Sequence, residues 1–270
     1  MALFSERPPR PTIDAGWASA QARRPDNQDR CACTARWAAL ADGIGGYAGG
    51  AAAAELAVQA ATVALERGDG NARAAVTDAM ARANAAVRSG RRRHLELAQM
   101  GTTLTVALAA GQGLWTIANV GDSPAWRVRG DRTDLVTQDH NVAAELLWHG
   151  VINAEEAARH PGRHVLSRAI GIDETVQPSV RNVDLAPGDR LVLASDGLGA
   201  AVATATLHEL LGPVSDASAA EQAGYLVDVA LAAGASDNVT VVMVCCVASS
   251  IVALPTHSRR REAGRLSVWR

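Results

Sequence analysis

Residues 41–50 read Ala-Asp-Gly-Ile-Gly-Gly-Tyr-Ala-Gly-Gly: one carboxylate, then five glycines within eight residues, directly after the apolar run Trp37-Ala38-Ala39-Leu40. Gly43 to Ala48 fits the G-x-G-x-x-A form of a dinucleotide fingerprint, and an alanine-rich helix is predicted to follow. Asp42 argues against that use, because its charge would stand beside the pyrophosphate that such a loop cradles on backbone N–H groups. An aspartate at the mouth of a glycine loop suits a cation better.

The order of elements around this stretch separates the two readings. Strands are predicted at 14–22 and 30–41, joined through ARRPDNQD, and long helices at 50–67 and 71–98. In the second helix Ala72, Ala75, Val76, Ala79, Met80, Ala83 and Val87 keep the period of one buried stripe. Four β-like runs at 102–110, 114–120, 124–129 and 133–137 read as a meander of antiparallel strands. Two short helices within 142–160, with Asn153 as N-cap and Glu155 and Glu156 in the first turn, lead into HPGRHVLSRAIG, read as loop. Strands at 176–184 and 190–195, helices near 204–211 and 217–233, and a strand at 239–249 complete the order. Strands in runs, helices in pairs and no βαβ alternation predict an α+β fold of antiparallel sheets covered by helices, not a doubly wound parallel sheet.

Composition bounds the function. The 270 residues, 48% of them apolar, suffice for one domain of roughly 240 residues. A formal net charge of -2, with every basic residue an arginine, gives no reason to expect nucleic acid or an anionic membrane as partner. Met1 to Pro11 lacks the apolar stretch of a secretory peptide, so a cytoplasmic protein is expected. The run Val239–Leu254 would be only about 24 Å long as a helix, short of a ~30 Å bilayer core, and its β-branched content reads as a buried strand. Cys31, Cys33, Cys245 and Cys246 lack the C-x-x-C spacing of zinc or redox sites and read as small core residues in a reducing compartment. Residues 255–270, with five arginines and one glutamate, read as a solvated tail.

Five aspartates fall at predicted strand ends: Asp29, Asp42, Asp122, Asp196 and Asp237. Each alone is ordinary turn chemistry. Two repeat one device, an apolar strand stopping on Asp-Gly, at Asp42-Gly43 and Asp196-Gly197. If these ends share a rim, their charges repel unless a cation lies between them. Oxygen donors without His or Cys select Mg²⁺ or Mn²⁺ over zinc, and the Gly43 carbonyl can serve as a further ligand. Arg24 would lie beside the same rim, where a guanidinium fork suits a phosphate.

With these residues in place the chain resembles the metal-dependent (type 2C) serine/threonine protein phosphatases, in their bacterial form. The motifs stand in that family's order: RPDNQD (24–29), ADGIGG (41–46), MGTT (100–103), NVGDS (119–123), QDHN (138–141), LSRAIG (166–171), ASDGL (194–198) and SDN (236–238). The resemblance implies a four-layer α-β-β-α sandwich, placing the catalytic domain at 14–249; by composition 250–270 is expected to be a disordered arginine-rich tail. It also implies a two-metal centre of Mn²⁺ or Mg²⁺, bridged by Asp42, with the Gly43 carbonyl on one metal, Asp196 and Asp237 on the other, and Asp29 close by. Asp122 resembles the ligand of a third, weaker ion, and residues 140–165 resemble a mobile flap beside the site. The implied reaction is direct hydrolysis of phosphoserine or phosphothreonine in proteins, the targets of a serine/threonine kinase, by a water held between the metals while Arg24 holds the phosphoryl oxygens. A monomer is expected, and the alternative is a non-catalytic phosphoprotein-binding module of the same fold.

Three positions depart from the family pattern. Gln28 stands where many members have Glu, Pro124 where the GDSR turn has Arg, and Ile44 where some members carry a histidine proposed as general acid. In its place the acid would be a metal-bound water or a group supplied by the flap, where His149, His160 and His164 are the nearest candidates in sequence.

Overall fold

The strand Val239–Val247 is buried at all but its last residue, and alternate side chains enter different cores. Val239, Val241, Met243 and Cys245 meet the helices outside, whereas Val242, Val244 and Cys246 meet the opposing sheet. A strand covered on both faces needs a layer on each side, which is why its sequence is a continuous apolar run. The same division holds on Trp37–Ala41, where Trp37, Ala39 and Ala41 face helices and Ala38 and Leu40 face the other sheet.

The protein, described here by a computed structural model over residues 11–44, 47–68, 70–94 and 97–248, is built of two five-stranded antiparallel sheets. The first runs in the order β1 (Thr12–Ala20), β12 (Val239–Val247), β11 (Arg190–Ala194), β8 (Ala125–Arg129) and β9 (Arg132–Leu135). The second runs β10 (Ser179–Asp184), β7 (Leu114–Val120), β6 (Leu104–Gly111), β3 (Trp37–Ala41) and β2 (Arg30–Cys33). Helices α1 (Tyr47–Arg67) and α2 (Ala72–Arg93) cover the second sheet, and α7 (Ala219–Ala232) covers the first, giving the four layers expected. A two-residue pair, β4 (Gly43–Ile44) with β5 (Gly101–Thr102), sits apart. The stripe of α2 is buried from Ala75 to Val87 as its period requires, and all four cysteines are free.

Several expectations are corrected. The single strand at 30–41 is a hairpin: Thr34 Oγ1 accepts from the N–H groups of Arg36 and Trp37 and turns the chain between β2 and β3. The four runs from 102 to 137 are not one meander, because β6 and β7 belong to one sheet and β8 and β9 to the other, the chain crossing at Gly121–Pro124. Helix α1 begins at Tyr47, so the glycines at 49 and 50 are helical, and α2 stops at Arg93. A short helix α5 (Asp196–Ala201) follows β11 where none was predicted. Within HPGRHVLSRAIG a 3₁₀ turn spans Pro161–His164, and two isolated bridges pair Asn141 with Leu166 and Thr102 with Ile170. Residues 250–270, read as a tail, lie outside the described residues, as does the loop at 45–46.

Candidate active site

The five aspartates gather because their strands end at the same end of the sandwich. Asp29 precedes β2, Asp42 follows β3 and Asp122 follows β7, all on the second sheet, while Asp196 follows β11 and Asp237 precedes β12 on the first. A cavity of about 1030 Å³ opens at this seam, lined by Arg24, Asp42, Gly43, Asp122, Asp196 and Asp237 among others. Asp29 is 4% exposed and lies behind the rim, where Ser195 Oγ donates to its Oδ2 at 2.8 Å.

Side chains distant in sequence hold each piece. The Asp42 N–H donates to Thr103 Oγ1 at 2.9 Å, and the Asp42 carbonyl accepts from the Thr103 N–H at 2.9 Å and from Thr102 Oγ1 at 2.7 Å. Thr103 Oγ1 also lies 2.7 Å from Ser123 Oγ, which couples Asp42 to the turn carrying Asp122. Gly43 is required by close approach: a Cβ there would lie 2.3 Å from the Gly50 carbonyl oxygen of α1. Asn238 fastens the loop that carries Arg24, accepting from the Gln28 N–H and donating to the carbonyls of Gln21 and Asp26 at 2.9–3.0 Å.

The rim is acidic and short of counter-charge. Burial, with the charges of Asp196 and Asp237, raises Asp29 to about 6 against hydrogen bonds from Thr240 and Ser195. Burial followed by the charges of Asp196 and Asp139 raises Asp122 to about 7. Asp42 is pushed well above the usual carboxylate range by burial and then by Asp29, Asp196, Asp122 and Asp237. Asp196 is raised by burial and then by the Asp237 charge. Carboxylates that raise one another in this way favour a cation among them.

Arg24 lies beside the rim, where its Nη2 donates to Asp237 Oδ2 at 2.5 Å, a carboxylate contact that the phosphate role read from sequence did not include. Of the three flap histidines only His164 lines the cavity. His160 accepts from the Gly162 N–H as a cap, and His149 caps helix α3 (Val142–Trp148) through its backbone.

The sequence reading missed Asp139. Burial, then the Asp196 charge, raises it to about 7, and its Oδ1 is buried without a hydrogen-bond partner, as is Asp29 Oδ1. Such orphaned oxygens suit a hard cation. Among the described residues no three acidic, His or Cys side chains are already drawn together tightly enough to grip one ion, so the acids ring the cleft without forming a finished coordination set. The donor set is all oxygen, as Mn²⁺ and Mg²⁺ require. Thr102, Thr103, Ser195 and Asn238 were also unassigned, although each stands inside a motif already noted, MGTT, ASDGL or SDN.

Two antiparallel sheets meeting at a carboxylate-lined seam define the class of metal-dependent phosphatases that the motifs resemble. A family profile described as Protein phosphatase 2C matches residues 18–233, and the chain belongs to that family. It is 37% identical over 221 residues to the serine/threonine protein phosphatase PstP of Mycobacterium tuberculosis, covering 82% of this chain and 42% of that protein. The chain thus spans about two fifths of the length of that relative. It is 33% identical over 210 residues to the serine/threonine phosphatase stp of Listeria innocua, covering 76% of this chain and 82% of the relative. The crystal structure of the PstP catalytic domain in complex with two manganese ions is similar with a TM-score of 0.77 and 32% identity, over 88% of this chain and 99% of that one.

Proposed function

We propose that this chain hydrolyses phosphoserine and phosphothreonine in proteins with two Mn²⁺ or Mg²⁺ ions. The observation that carries the reading is the rim itself: carboxylates from both sheets converge on one cleft, their pKa values raised by burial and by one another. Asp42, the Gly43 carbonyl, Asp196 and Asp237 would hold the pair, with Asp29 behind them and Asp122 toward a weaker third ion. Bound there, the metals supply a water of lowered pKa and neutralise charge on the phosphoryl group.

The remaining steps belong to the chain's own residues. Arg24 is held at the rim by Asp237 through one N–H, and a guanidinium has five, so it keeps donors for phosphoryl oxygens. Its side chain is 56% exposed, which leaves it accessible to an incoming substrate. A serine or threonine alkoxide needs a proton to depart. Ile44 has none to give, and His164 is the flap histidine that reaches the cavity.

The names of the relatives support a phosphoprotein substrate, and a serine/threonine kinase would make it. We assign the catalytic unit to 14–249 and read it as a monomer, since the candidate ligands named above all come from one chain. A cytoplasmic setting is consistent with the described residues, where no helix is long and apolar enough to cross a membrane. Assay of p-nitrophenyl phosphate and phosphothreonine peptides with Mn²⁺, then with EDTA, tests the reading. Metal-dependent phosphate release is expected; binding of phosphopeptide without turnover would establish the non-catalytic module instead.

A further inference from the structure

One wall of the cavity is apolar, and its construction is specific. Ile44 on β4 pairs with Gly101 on β5, and Ile172 packs over the same glycine, its Cδ1 only 3.0 Å from where a Cβ on Gly101 would lie. A Cβ at 101 would press on Ile172, which would have to give by a few tenths of an ångström. The two isoleucines thus form a platform across a glycine, beside Asp42 and Gly43. Both line the cavity that holds the carboxylates.

The segment presenting Ile172 is pinned through its backbone. Gly171, at φ +93°, donates its N–H to the buried Asn84 Oδ1 at 2.7 Å, and Asn84 Nδ2 donates to the carbonyls of Asp173 and Glu174. Arg91 donates to the Gly171 carbonyl and Arg88 to that of Glu174. On the other side, Ile170 exchanges both backbone hydrogen bonds with Thr102. Helix α2 and β5 therefore hold the loop while the Ile172 side chain stays 47% exposed and Ile44 36% exposed. Two apolar side chains left partly exposed at the edge of a polar cleft, one of them on a backbone pinned from both sides, present a surface pre-organised to bury part of a ligand.

Resting on the phosphatase reading, we infer that Ile44 and Ile172 form a specificity subsite for a leucine-sized aliphatic side chain adjoining the phosphorylated residue of the substrate. Ile44 stands two residues from Asp42, roughly 7 Å along an extended chain, which is the reach of the next one or two residues of an extended peptide. Val165 and Ala169 continue the wall. An aspartate or glutamate at that flanking position would lose hydration against the apolar wall without gaining a partner there, so the subsite selects against a charge.

The test is a set of phosphothreonine peptides identical except for Leu, Gly or Asp at each residue flanking the phosphothreonine, assayed with Mn²⁺. At one flanking position the wild type should favour Leu over Gly by about five- to tenfold in kcat/KM, the scale of partly burying one aliphatic side chain, and Asp should rank last. In Ile172→Ser and, separately, Ile44→Ser the Leu-to-Gly ratio should fall below about twofold, with melting temperature and its rise on adding Mn²⁺ checking that each variant is folded. Turnover with a ratio near one at both positions, or a ratio unchanged in both variants, overturns the subsite alone. No turnover of any peptide overturns the phosphatase reading and the subsite with it.

Discussion

The molecule has an acidic cluster at each end of its sandwich, and the two are handled oppositely. At the far end Arg127 and Arg129 of β8 clasp Asp134, Asp184 and Asp189, and Arg129 reaches both Asp184 and the 4%-exposed Asp189 at 2.5–2.7 Å. Hydrogen bonds from Arg127 and Arg129 hold Asp134 and Asp184 below the usual carboxylate range. At the near end burial and mutual repulsion push Asp29, Asp42, Asp122 and Asp196 upward, with Arg24 the guanidinium that contacts them through Asp237. Acids that only hold a fold together come with cations built in. Acids kept without them are available to an ion from solution.

The contrast can be broken most sharply by exchanging the insult between ends. Asp42→Asn or Asp196→Asn should lower kcat by at least about a hundredfold, the scale of losing one strong electrostatic contact in a water-poor site. Asp184→Asn, measured in parallel on p-nitrophenyl phosphate, should stay within about twofold of wild type.

Metal addition is the next largest effect. Mn²⁺ at a hundredfold excess over Kd should stabilise the fold by about 2.7 kcal/mol if it binds only the folded rim. Thermal melts should show this shift undiminished in Asp184→Asn and mostly lost in Asp42→Asn. Equal shifts in both variants would place the stabilising ion elsewhere.

Stability without metal should change sign between the ends. Asp189→Ala removes the acceptor of Arg129 and of the Ala186 N–H, and should cost about 2 kcal/mol in urea denaturation. In EDTA at pH 8 Asp42→Asn should cost nothing or raise the melting temperature, because it removes one of several repelling charges.

Arg24→Ala should lower kcat/KM on phosphopeptides by about tenfold, the scale of one charge-assisted phosphate contact. It also frees Asp237, so Mn²⁺ affinity by titration calorimetry should be retained or slightly tightened. A matching loss of metal affinity would make Arg24 a structural residue.

The smallest effect is the pH slope. Asp122 and Asp139 have folded pKa values near 7, above their unfolded values, so their contribution is full at low pH and is lost as pH rises through about 7. His140, held down to about 4 by burial and by Arg168, titrates below this window, where its contribution is lost as pH falls. Between pH 6.5 and 8 the melting temperature in EDTA should therefore decline, and the Mn²⁺ shift should grow. A rising melting temperature across that range would contradict the raised carboxylates.

Layer architecture was legible in sequence because apolar period and turn residues mark elements locally. Sheet membership was not: β7 and β8 read as neighbours in a meander, and only tertiary packing shows that Gly121–Pro124 carries the chain from one sheet to the other. The hairpin at Thr34 was hidden because both its strands are apolar and the turn is three residues long. Asp42 and Asp196 were visible through their repeated Asp-Gly, whereas Asp139, although inside the QDHN motif, lacks that device and was not gathered with them. The part played by Thr103 is a contact across 61 residues, to which no local pattern points.

The seam itself has a consequence for how this site can change over time. Asp42 rides on one sheet and Asp196 and Asp237 on the other, so the width of the cleft is set by what fills the space between the sheets: Leu40, Trp115, Ile117, Leu191 and Leu193 among small neighbours such as Ala38, Ala107 and Ala125. Those side chains act as a shim in a pair of jaws. Trading a methyl group there would re-gauge the opening without altering a single residue that faces the ion, so a lineage can retune its choice and grip of metal from inside the core while every motif at the rim reads unchanged.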